Sequence, residues 1–131
     1  MRELIFRGQN DDGEWEYGGF FIKDGKPAII NKTKEWSGAW VKPESVGQYT
    51  GLKDCTGKMI FENDIIGDGK FVYTVVYGHF CIGEDSWGIE HKTMGFCLKF
   101  TDDSGYTGIR EGDLYEIIGN VFKNPDLLEE A

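Results

Sequence analysis

The apolar residues of this chain come in short runs, separated by stretches that carry Gly, Asp and Asn. Leu4-Ile5-Phe6, Phe20-Phe21-Ile22, Ala28-Ile29-Ile30, Met59-Ile60-Phe61, Ile65-Ile66 and Phe96-Cys97-Leu98-Lys99-Phe100 are separated by polar turn formers. The longest run, Phe71-Val72-Tyr73-Thr74-Val75-Val76-Tyr77, is rich in β-branched and aromatic residues. Runs this short cannot supply the 3.6-residue stripe of a long amphipathic helix, but they suit strands joined by tight turns. Nineteen glycines against three prolines fit that reading, because glycine reaches the positive φ angles such turns need. The pattern predicts a mainly β, antiparallel protein.

Several turns can be placed by residue. Asn10-Asp11-Asp12-Gly13 precedes a strand in which Trp15 and Tyr17 alternate with Glu14 and Glu16, and Gly18-Gly19 allows a bend. Asp24-Gly25 predicts a tight hairpin over residues 20–30, with Pro27 at a strand start or on an edge. Residues 31–45, polar apart from Trp36, Trp40 and Val41, read as a connection between an N-terminal segment (1–45) and a main domain (46–131). Further strands are expected at 46–50, 59–61, 65–66, 71–77, 96–100 and 114–122, with a polar loop containing Trp87 at 83–92. Asn124 as cap and Pro125 at the first helical position predict a short helix to about Glu130.

The net charge is −9, and it is uneven: residues 1–45 hold 8 acids and 7 bases, residues 46–131 hold 15 acids and 7 bases. Duplex nucleic acid and anionic membranes are therefore poor partners, since both are bound through Lys and Arg. No apolar stretch approaches the roughly 20 residues that span a bilayer. Met1–Arg7 does not read as a secretory signal. The odd, widely spaced set Cys55, Cys81 and Cys97 reads as reduced thiols, which places the chain in the cytoplasm.

Chemistry-bearing patterns are weak. Gly51 to Met59 looks like a phosphate loop at first sight, but the glycine spacing is one residue too long, Met59 replaces the magnesium-binding hydroxyl, and a strand follows where a helix should. His79 with Cys81, and His91 with Cys97, lack the convergent spacing of a zinc site. Glu62/Asp64, Glu84/Asp85 and Asp102/Asp103 lie in turns, where acids are ordinary. No catalytic residue and no cofactor are expected. Trp36, Trp40 and Trp87 stand in polar surroundings and are the candidates for an interaction surface.

One stretch is specific. Gln48-Tyr49-Thr50-Gly51-Leu52-Lys53-Asp54-Cys55-Thr56-Gly57-Lys58-Met59-Ile60-Phe61-Glu62-Asn63-Asp64-Ile65 resembles the signature of the YopX family of small phage and prophage proteins. Residues 117–128, with Gly119, Asn120 and Pro125, resemble the family's closing strand and tail, the opening Phe6-Arg7 with its hairpin resembles its start, and Asn63 stands where the family usually has Gly. The resemblance implies a β fold whose C-terminal part is similar to an SH3-type barrel, with no established activity to carry over. The motif residues Gln48, Tyr49, Thr50, Gly51, Leu52, Asp54, Gly57, Glu62 and Asp64 have a structural reading: core anchors and turn formers. Asn63 is expected at positive φ, as Asn tolerates that region best after Gly. The functional expectation is an accessory protein of the bacterial host cytoplasm that binds another protein, or a second copy of itself. A nucleic-acid-binding SH3-like barrel and a small enzyme using loop carboxylates are the alternatives.

Overall fold

A computed structural model describes residues 5–31, 37–84, 86–111 and 114–125, with backbone alone at 31, 37, 79–84 and 91–94. The described residues form eleven strands, all paired antiparallel where the register is defined, and no α-helix. The chain divides into two compact units, residues 1–51 and 52–131. The division falls inside a strand, whereas the sequence reading placed it at 45/46.

In the first unit the strand order is β4-β3-β2-β1-β5, with β1 Phe6–Gln9, β2 Trp15–Lys23, β3 Lys26–Asn31, β4 Ser37–Trp40 and β5 Gly47–Lys53. The hairpin expected at 20–30 is present: Lys23 faces Lys26 across Asp24 (φ 54°) and Gly25 (φ 75°). Two positive φ angles match the right-handed twist of the flanking strands. β2 changes partner at the expected glycine pair, facing β1 up to Gly18 and β3 from Gly19. Pro27 is the second residue of β3, facing Ile22 of β2, and pairing with β4 starts only at Ala28, so its missing N–H breaks no bond to β4. Residues 31–45 are more than a connection. Ser37–Trp40 pairs with β3, and Pro43–Ser45 makes one 3₁₀ turn. That turn is tied to β1: the Gln9 N–H donates to Ser45 Oγ (2.8 Å), and the Lys42 N–H donates to the Gln9 carbonyl (2.9 Å). Gly8 lies so close to Val41 that a Cβ would sit 2.8 Å from its side chain.

In the second unit β6 (Met59–Phe61) follows β5, and a five-stranded sheet runs β10-β9-β8-β7-β11. Its members are β7 Asp64–Gly67, β8 Val72–Glu84, β9 Glu90–Phe100, β10 Tyr106–Gly108 and β11 Glu116–Asn120. Ile60, Ile66, Tyr73, Val75, Leu98 and Tyr115 form the buried core, and Leu52, Phe96, Phe100, Ile109 and Ile117 pack around it. Each fully buried aliphatic side chain contributes about 1.5–3 kcal/mol.

Three expectations change here. Residues 83–92 are not all loop: β8 and β9 stay in register from Tyr73↔Phe100 out to Glu84↔Glu90. Backbone pairing carries this ladder through Gly78↔Gly95 and a bulge between Cys81 and Gly83, past the point where the apolar pattern stops. The expected SH3-type barrel does not appear as a closed ring among the described residues. β10, three residues long, and β11, which pairs with β7, are the two outer strands of an open sheet. The helix expected after Pro125 falls on residues 126–130, outside the described residues.

Candidate functional site

The motif from Gln48 to Ile65 and the groove beside Phe71 are built differently. In the motif, Asp54 is 4% exposed, and its carboxylate closes a turn. Oδ1 accepts from the Thr56 N–H (2.9 Å), the Thr56 hydroxyl (2.7 Å) and the Lys58 N–H (2.9 Å). Oδ2 accepts from the Ile117 N–H in β11 (3.1 Å). Burial alone would raise the pKa of this acid; the bonds from Thr56, Ile117 and Lys58 outweigh it and hold the pKa at about 2. Asp64, also buried, accepts from the Phe61 N–H (2.7 Å). Between them Asn63 has φ 74°, as expected; its N–H donates to the Val75 carbonyl and its carbonyl accepts from Val121.

The remaining motif residues take similar places. Tyr49 and Thr50 are buried, Leu52 packs on the core cluster, and Gly51 and Gly57 both have φ 90°. Gln48 faces Phe6 in the β1–β5 ladder, and Glu62 is half-buried. Gly119 follows a register shift in β11, and Asn120 Oδ1 accepts from the Lys123 N–H (2.7 Å). Pro125 is exposed at the end of the described chain. The stretch that looks like a phosphate loop is the β5–turn–β6 segment, and its acid is engaged by the turn and by β11.

The groove lies at the other end of the chemistry. Asp68 organises the turn before β8, accepting from the N–H groups of Lys70 (2.9 Å) and Phe71 (2.8 Å) and from the Tyr73 hydroxyl (2.8 Å). The Phe71 N–H, with the other donors, lowers the pKa of Asp68. Burial, then the Asp68 bond, pushes Tyr73 up to about 12, so the pair stays carboxylate and phenol over the whole physiological range. This fixed turn presents Phe71, 46% exposed, edge-on to Phe100 with ring centroids 5.6 Å apart. Tyr73 packs between Phe100 (5.1 Å) and Tyr115 (6.1 Å), and the Tyr115 hydroxyl accepts from the Arg110 N–H (3.2 Å). Leu114, 51% exposed, completes a cavity of about 400 Å³. Lys70 and Arg110 also line it, with the Lys70 ammonium 5.3 Å from the centre of the Phe71 ring. Phe71, Tyr73, Phe100 and Tyr115 line the cavity together with these two exposed cations, and the carboxylate of Asp68 beside them is already engaged. Such a site can bind an apolar group carried beside negative charge.

The tryptophans expected to mark a surface are not gathered at this groove. Trp40, 47% exposed, lines a separate cavity of about 330 Å³ in the first unit with Phe21, Lys23 and Ile30. Trp87 is 83% exposed in the turn between β8 and β9. Trp36 lies outside the described residues. The groove residues Phe71, Tyr73, Phe100 and Tyr115 read in the sequence only as strand formers. The Asp68-Gly69 turn before an aromatic strand was the one available signal.

The acid pairs considered for catalysis are engaged or undescribed. Asp64 holds Phe61, Asp102 accepts from the Ser104 N–H, and Asp103 pairs with Lys99 at 3.0 Å. The side chains of Glu84 and Asp85 lie outside the described residues, as do those of His79, Cys81 and His91. Cys55 is an exposed free thiol. Cys97 is buried, which pushes its pKa up, with Sγ 3.2 Å from the Thr107 carbonyl. Among the described residues no three His, Cys, Asp or Glu side chains are placed to hold a metal, and no helix is long and apolar enough to cross a membrane.

Comparison with curated proteins gives no match. The sequence profile described as YopX protein matches residues 7–129, nearly the whole length, and the chain belongs to that family.

Proposed function

We propose that this YopX-family chain is a phage or prophage accessory protein that acts in the host cytoplasm by binding protein, and that the groove of its second unit is the contact surface. In this reading it needs no cofactor and carries out no reaction. The observation that supports it is the exposure of Phe71 and Leu114 in an aromatic-lined cavity, whose turn Asp68 fixes. Half-exposed aromatics on a rigid base are the usual anchors of protein interfaces. The charge balance of the second unit, 15 acids against 7 bases over residues 52–131, disfavours a phosphate backbone as the main ligand.

Affinity capture from the host with the wild-type chain and with Phe71→Ala tests this. A protein retained by the wild type and lost with Phe71→Ala supports the reading. Binding to DNA or RNA that weakens steeply as salt rises, with no Phe71-dependent protein, overturns it in favour of nucleic-acid binding.

A further inference from the structure

β4 is the outermost strand of the first unit, with β3 as its one neighbour in the sheet. In an antiparallel ladder, successive residues turn their backbone groups alternately toward and away from the neighbouring strand. The Val41 N–H donates to the Pro27 carbonyl (3.2 Å), so Val41 and, two residues back, Ala39 face β3. Gly38 and Trp40 therefore point their N–H and carbonyl groups outward. Those groups have no hydrogen-bond partner among the described residues, and both residues are exposed. Ser37–Trp40 carries no charge, no proline and no bulge, the devices that keep an open edge from pairing.

The sheet face beside this edge has room for a side chain. Phe21 faces Ala28, Ala28 faces Trp40 and Ile30 faces Gly38, so these residues share one face. With Lys23 they line the cavity of about 330 Å³. Gly38 leaves its part of the face bare. Its φ lies outside the left-handed region, so the backbone there does not require glycine; a Cβ would sit 3.5 Å from Phe21, an ordinary contact.

We infer that β4 pairs antiparallel with β4 of a second copy of this chain, about a two-fold axis through Ala39. Gly38 of each copy then faces Trp40 of the other. Facing residues with outward backbone groups exchange both bonds, so the pairing closes four N–H···O bonds and leaves no outward group of Gly38 or Trp40 open. Facing residues also share a face, so each indole lies across the opposite glycine, toward Ile30 and Phe21 of the other copy. An aromatic ring laid over a glycine on the next strand is a stabilising cross-strand pair. The spacing selects this occupant: turning the strand about Ala39 exchanges the Gly and Trp positions, so the edge complements itself. With no charge from Ser37 to Val41, two copies do not repel along it. The contact is isologous and closes at two copies. It uses neither Phe71 nor the groove of the second unit.

The experiment uses the full chain, with each variant checked for native folding by its thermal melt. Sedimentation over a concentration series should show a monomer–dimer equilibrium with nothing larger. Trp40→Ala should weaken the dimer by about 30-fold or more, the loss expected of a central aromatic anchor. Gly38→Pro removes an outward N–H without breaking a bond to β3, and should weaken it likewise. Ala39→Cys tests the register. Residues facing each other at the two-fold would have Cα atoms about 4.5 Å apart, within the span of a disulfide. In a Cys55→Ser background with oxidised glutathione, Ala39→Cys should be trapped as a covalent dimer, and Gly38→Cys should cross-link no more than the background does. A chain that stays monomeric at all concentrations overturns the inference. So does a dimer unmoved by both Trp40→Ala and Gly38→Pro, or an Ala39→Cys chain that cross-links no more than Gly38→Cys. The protein-binding reading of the groove, tested through Phe71, stands or falls separately.

Discussion

The two turns that flank β6, closed by Asp54 and Asp64, and the β8–β9 arm that ends at Trp87 all belong to the second unit, and they are built in opposite ways. The turns hide their acids: Asp54 and Asp64 are buried, and each carboxylate is spent on backbone N–H groups. The arm exposes apolar side chains, Trp87 and Ile89. A polar group turned inward must find its partners inside, so it specifies the fold. An apolar group turned outward adds little to the core, so its removal should cost the fold little. The difference separates the residues that make the fold from those that present a surface, and it runs against the habit of reading acids as functional and aromatics as core.

The sharpest way to break this comparison is Asp54→Asn. An amide can point only one oxygen at the four donors, and its NH₂ would face either Ile117 or the Thr56–Lys58 turn. The expected loss is about 2–4 kcal/mol, because charge-assisted bonds are lost and a buried N–H is left without an acceptor. Urea unfolding followed by fluorescence measures it; a change within error would mean that the buried acid does not hold the turn.

The same carboxylate gives a pH signature. Its folded pKa of about 2 lies below the ordinary aspartate value of 3.8. The folded state therefore favours the charged form, and the stabilisation is fully present above about pH 4. It is lost as pH falls from there through about 2, and amounts to roughly 2 kcal/mol. Urea midpoints taken across that window should fall for the wild type and fall less for Asp54→Asn. Parallel curves would assign the acid sensitivity to other groups.

Asn63 tests the backbone side of the turn. Asn63→Gly should be neutral or mildly stabilising, and Asn63→Val should cost on the order of 1–2 kcal/mol at φ 74°. Equal urea midpoints for all three chains would contradict the strained position. At the other end of the scale, Trp87→Ala should move the thermal or urea midpoint by no more than about 0.5 kcal/mol. A larger loss would place Trp87 with the fold-making residues and erase the contrast.

What the sequence revealed follows the same division. Turns set by one or two residues were legible: Asp24-Gly25 and Asn63 lie in the positive-φ region, as their chemistry requires. Elements that exist through pairing with distant strands were not. Ser37-Gly38-Ala39-Trp40 has little strand character of its own and becomes a strand by lying along β3. The end of the β8–β9 ladder reads as loop because Gly83, Glu84 and Glu90 belong to a polar stretch with no apolar alternation in the sequence. The groove escaped for a related reason. Phe71, Tyr73, Phe100 and Tyr115 are brought together by β8–β9 register and by the placement of β11, neither of which a single run of residues encodes.

The bond from Ile117 to Asp54 spans 63 residues of chain. During synthesis at about 5–20 residues per second, the carboxylate is made roughly 3–13 seconds before its last donor. Until β11 emerges, β7 has an open edge and the Asp54 turn lacks the donor that completes it. Newly made protein therefore passes through an interval in which the second unit cannot close. A ribosome stalled short of residue 117 would hold it in that state, with the sheet edge available to any other strand nearby.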